Sequence, residues 1–158
     1  MTKSAPPDGK LHNKQWLSPA TLIRVGSILI VGLMIGHMAA YPWTSMKALQ
    51  ETQLTTLMKS VPFTFMGERS TYWNLYFGWG VLVAVLLLAL ASILWILPDF
   101  ATLRPRSAGA ISAIVAIASL FGAYLSFRFF YIPPFALFSM ICATLTGATT
   151  QLLRLRNE

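Results

Sequence analysis

LYFGWGVLVAVLLLALASILWIL, residues 75–97, carries no charged side chain. As an α-helix it would rise about 35 Å, enough to cross the ~30 Å hydrocarbon layer of a bilayer. The chain around it has the same character, with 56% hydrophobic residues, 11% charged residues and a mean hydropathy of +0.63. A water-soluble domain carries about a quarter charged residues. Too few polar side chains remain here to cover a globular surface, so the expected solvent is lipid.

Working outward, the run extends over 72–97 and is followed by Pro98. Three more runs of similar length cover 21–41, stopped by Pro42, then 108–127 and 135–153. Inside a bilayer every backbone N–H and C=O needs a partner within the protein, which makes these runs helices. The two-residue alternation of a membrane β-barrel is absent. The sequence therefore predicts an all-α, four-helix transmembrane bundle in one domain, 20–153. A flexible polar tail, 1–19, precedes it and a basic end, 154–158, follows. The tail is not a cleaved signal peptide, because the apolar run behind it is long enough to span.

Lysine and arginine set the orientation. With the N-terminus inside, Lys3, Lys10, Lys14, Arg24, Arg104, Arg106, Arg154 and Arg156 are cytoplasmic, whereas Lys47, Lys59, Arg69 and Arg128 lie outside. That distribution predicts N-in and C-in. Aromatic belts agree, with Tyr41, Trp43, Tyr72, Trp73, Tyr76 and Tyr131 at the outer interface and Trp16 and Trp95 at the inner one. The net charge of +7 thus reflects topology, and nucleic acid is not an expected partner. The single cysteine, Cys142, excludes an intramolecular disulfide and a Cys-x-x-Cys redox pair.

The outer loop, 42–71, is the one sizeable extramembrane piece. Met46, Leu49, Leu54, Leu57, Met58 and Val61 recur at helical spacing, while Lys47, Glu51, Thr55 and Lys59 repeat every four residues on another face. Thr44 or Ser45 can cap its start, and Pro62 lies beyond its end. A short amphipathic helix is predicted, either as a lid over the bundle mouth or at rest in the headgroups.

Small residues bring helices close where lipid supplies little hydrophobic drive. The first span carries Gly32-x-x-x-Gly36. The third carries Ser112, Ala116, Ser119, Ala123 and Ser126, and the fourth Ser139, Ala143, Thr146 or Gly147, and Thr150. The last two spans are expected to pair tightly through FFYIPP, 129–134. Small faces can equally serve a homo-oligomer. No repeat relates the two halves, which argues against an inverted-repeat transporter.

Five polar residues at the outer ends of the spans are candidate ligand-binding groups: His37, Tyr41, Glu68, Asn74 and Arg128. His37 lies one turn, about 6 Å, below Tyr41 and can hydrogen-bond to it. An imidazole there is either an acid/base group or a structural tie to a neighbouring helix. Glu68 and Arg69 precede the second span and Asn74 lies in its first turns. Glu68 can also act on the helix dipole alone, and Arg128 can snorkel to the surface. No metal or cofactor is expected. His12 is in the tail, so two histidines cannot hold a haem within one subunit, and one histidine and one cysteine in opposite leaflets cannot make a zinc site. Nucleotide and hydrolase motifs are absent.

GHMAAYPW (36–43), MGERSTYWNLYFGWG (66–80) and FRFFYIPP (127–134) give a layout that resembles small bacterial four-helix membrane proteins, the DoxX-like and anthrone-oxygenase-like groups. The resemblance implies a bacterial inner membrane and carries no assigned reaction. The emopamil-binding sterol isomerases offer a further analogy, but their paired acidic residues within the helices have no match in this sequence. The leading functional reading is a non-enzymatic module that binds a lipid-like or other apolar ligand, or a membrane partner, under the outer loop. The alternatives are a small intramembrane enzyme with His37 as acid or base, and a transporter or channel component.

Overall fold

The computed structural model describes residues 17–40 and 49–154. Four long helices, α1 (Pro19–Ala40), α3 (Tyr72–Ala101), α4 (Pro105–Phe129) and α5 (Ile132–Arg154), are each long and apolar enough to span a membrane. Between α1 and α3 stand a shorter helix, α2 (Leu49–Ser60), and an antiparallel hairpin of β1 (Pro62–Phe65) and β2 (Glu68–Thr71). The chain is a small multi-pass integral membrane protein. Four crossings put α2 and the hairpin on one side, the loop side, and both chain ends on the other, the terminal side.

Prolines that the sequence reading placed at span ends or in connections lie inside helical turns, while Pro42 is outside the described residues. Pro98 is in the last turn of α3, which continues to Ala101. Pro105 opens α4, and Pro133 and Pro134 fall in the first turn of α5. In a first turn the missing N–H is one that no helical carbonyl would accept, so proline is tolerated there. As a result the α4–α5 connection shrinks to Phe130 and Tyr131.

The α4–α5 pair packs most extensively, as FFYIPP suggests, and α1 lies against both α3 and α5. The small seam of α4 is buried throughout, at Ser112, Ala116, Ser119, Ala123 and Ser126. The matching expectation for the last span does not hold. Ala143, Thr146 and Thr150 are exposed, and α5 turns Ile141, Leu145, Ala148 and Leu152 inward. Larger side chains fill the space that small ones on the neighbouring helices leave. A Cβ on Gly26 of α1 would stand 2.8 Å from Leu145 Cδ2, and one on Gly122 of α4 2.7 Å from the Phe138 ring.

Gly32 and Gly36 behave differently. A Cβ on either would meet nothing within 4 Å, so the Gly-x-x-x-Gly stripe faces away from the bundle. Two hydrogen bonds add to the core packing that joins α1 to α3. Ser27 Oγ donates to Ala91 O at 2.7 Å, and His37 Nε2 reaches Gly80 O at 2.9 Å. Such bonds are worth about 0.6–1.7 kcal/mol each in a membrane protein.

The hairpin was absent from the sequence reading. Pro62 pairs with Thr71 and Phe65 with Glu68, leaving Met66 and Gly67 as a two-residue turn. Both have positive φ, 52° and 89°. A right-twisted two-residue hairpin favours type I′ geometry, which needs this conformation at both central positions. Gly67 adopts it freely, whereas a non-glycine residue held there costs about 1–3 kcal/mol. Thr71 ends β2 and at once caps α3, its Oγ1 accepting from Asn74 N at 3.2 Å.

Candidate functional site

Each candidate polar residue takes its position from the element that carries it. His37, in the last turn of α1, is half-buried against α3. Because a carbonyl can only accept, Nε2 donates to Gly80 O and carries the proton. This is the structural tie between helices that the sequence left open. Gly36 beside it is exposed, so the imidazole does not adjoin a packed glycine face. Tyr41 lies outside the described residues, as do Trp43, the expected caps Thr44 and Ser45, and the start of the loop helix.

Glu68 belongs to the hairpin, opposite Phe65, and does not sit in the first turn of α3. The helix start is stabilised by Thr71 instead. Asn74 is exposed near the top of α3. Gly80, the partner of His37, lies six residues further along, about 9 Å deeper. Arg128 stands in the last turn of α4, its guanidinium carbon 5.4 Å from the centre of the Phe129 ring. α4 packs against α5 and more lightly against α3, and α1 is not among its principal neighbours. Glu68, Asn74 and Arg128 thus share the loop side with His37, but none of them hydrogen-bonds to it among the described contacts.

The loop helix is present over Leu49–Ser60, and its described neighbours are α3 and the hairpin. α2 packs on the start of α3 and on β2. Lys59 Nζ stands 4.6 Å over the Trp73 ring. Leu54 and Leu57 remain 58% exposed, so the apolar edge of α2 looks away from the protein.

A different concavity lies between α4 and α5. It is an open groove of about 580 Å³ lined by Leu120, Phe121, Tyr124, Phe127, Phe135 and Ser139. Phe127 is in the last turn of α4 and Phe135 in the first turns of α5, which places the groove in the loop-side half of the membrane. Tyr124 is exposed, and the Ser139 hydroxyl donates to Phe135 O within its own helix. Arg128 follows Tyr124 by one turn on α4. The wall that a guest would meet is almost entirely aromatic and aliphatic. The sequence reading missed this groove. Its signal was the run of Phe121, Tyr124 and Phe127 opposite the buried small seam.

On the terminal side, Arg24 Nη2 meets Asp99 Oδ1 at 3.4 Å and lies 5.7 Å from the Trp95 ring. Asp99 was also missed, although it is the only acidic residue between Glu68 and Glu158. Both side chains are about half exposed or more, so the pair contributes little to stability. Among the described residues no group of three or more His, Cys, Asp or Glu side chains is arranged to hold a metal. No family model, curated protein or solved structure matches the chain.

Proposed function

We propose that the protein is a non-catalytic membrane module that holds a lipid-like apolar molecule along the α4–α5 groove, in a bacterial inner membrane. The groove carries this reading. Its volume falls in the range of small-molecule sites, about 300–1,000 Å³, and its walls are almost wholly apolar. An open furrow facing hydrocarbon suits an acyl or isoprenoid chain lying lengthwise. Support also comes from His37, whose Nε2 proton is committed to Gly80 O. The inner-membrane assignment rests on the resemblance to small bacterial four-helix membrane proteins, and the lysine and arginine distribution sets the orientation within it.

The experiment is purification in mild detergent followed by extraction and mass spectrometry of retained lipid. One lipid species should be enriched over bulk membrane composition and lost when Leu120→Trp fills the groove. Equal retention by the variant, or bulk composition in both, would overturn the reading. A photoactivatable lipid should crosslink to peptides of α4 and α5.

A further inference from the structure

We infer that the tip of the β1–β2 hairpin, Phe65 and Met66, is a membrane-contacting element that seats in the loop-side leaflet beside α3. Met66, at 90%, is the most exposed large apolar side chain among the described residues, and Phe65 beside it is 65% exposed. Met66 occupies a turn position of positive φ where asparagine, aspartate or glycine is the low-cost choice. A flexible apolar side chain has been kept there in spite of its conformational penalty. Left in water, it would gain nothing to offset that penalty.

Geometry selects lipid as the occupant. The hairpin has no spacer from the bilayer, since Thr71 is at once the end of β2 and the cap of α3. Four residues of strand reach only about 13 Å, so the tip stays near the interface in any orientation. Alternate residues share a face of the ladder, which puts Phe63 and Phe65 on one side. Phe63 packs on Tyr72, the first residue of the span, with ring centres 4.9 Å apart. That face is therefore the one turned toward the flank of the span, and Phe65 extends it outward over the surrounding lipid. The aromatic side chains of Tyr72, Trp73, Tyr76 and Trp79 mark the same level as interfacial. A tether this short holds lipid at high effective concentration relative to any soluble partner. Residues 49–71 contain Glu51, Lys59, Glu68 and Arg69, which sum to zero charge. Seating is thus driven by apolar burial and is insensitive to salt.

The test uses the full chain with Cys142→Ala, reconstituted in phosphatidylcholine vesicles with a nitroxide at Met66→Cys. The control is Thr64→Cys, an exposed position on the opposite face of the ladder. The Met66 label should collide with oxygen in preference to a water-soluble nickel chelate, and be several-fold less accessible to nickel than the Thr64 label. High salt should leave the contrast unchanged. Equal nickel access at the two positions would overturn the inference and leave the tip free for a soluble protein. Shielding from both reagents that disappears on dilution to single chains per vesicle would overturn it in favour of a second copy. Both positions are exposed, so labelling leaves the packing intact, and a Phe65→Cys label should repeat the Met66 result.

Discussion

His37 and Gly80 are joined across α1 and α3 by a 2.9 Å hydrogen bond, ten residues along α1 from the bond between Ser27 and Ala91. The two rungs lie eleven residues apart on α3, as antiparallel helices of equal rise require. Together with the Arg24–Asp99 pair nearer the terminal side they fix the register of α1 on α3. Replacing His37 by Ala should lower stability by about 1 kcal/mol, whereas Gln, which can still donate to Gly80 O, should recover most of the loss. Steric trapping or denaturation in mixed micelles measures both. If an activity disappears in the Gln variant while stability is kept, the imidazole has a chemical role beyond the tie.

Two buried serines should respond in opposite directions. Ser27→Ala removes the bond to Ala91 O and should cost about 1 kcal/mol. Ser112 is fully buried, and its hydroxyl has no partner among the described residues. Ser112→Ala should therefore be neutral or raise stability by about 1 kcal/mol, since an unpaired buried hydroxyl carries a desolvation cost. The same unfolding assay reads both.

Glycines should divide by what surrounds them. Gly26→Val forces a side chain against Leu145, itself fully buried, and should destabilise by about 1–3 kcal/mol. Gly32→Ala and Gly36→Ala enter open space and should change stability by less than about 0.5 kcal/mol. If the two outward substitutions instead disperse a crosslinkable dimer without touching monomer stability, the stripe on α1 is an intermolecular face.

The turn at Met66 and Gly67 gives a local readout. Gly67→Ala places a side chain at φ 89° and should weaken the hairpin by about 1–3 kcal/mol. Amide exchange should accelerate across β1 and β2 while the four spans keep their protection.

The spans were legible because lipid makes a simple demand: a long run without charge. Their ends were less so. Pro98 read as a stop and Pro133 and Pro134 as part of a turn, yet the first turn of a helix tolerates proline and α3 runs three residues past Pro98. Periodicity located the small stripe of α4 and its inward direction. It located a similar stripe on the last span but misjudged its direction, because spacing marks a face and only the neighbours decide where that face points. Leu145 points inward because Gly26 makes room for it. The hairpin gave little signal, since Phe63-Thr64-Phe65 alternates over only three residues, ERST does not alternate, and its turn is Met-Gly where Asn-Gly would have been recognisable. That His37, Glu68, Asn74 and Arg128 lie toward the loop side was readable. Their partners, set by which helices adjoin, were not.

The link between α4 and α5 is two residues long, Phe130 and Tyr131. A connection this short couples the two helices as they enter the bilayer, so that they insert as a helical hairpin. Their joint hydrophobicity then counts, and the more apolar α4 supports α5, the least apolar of the four spans.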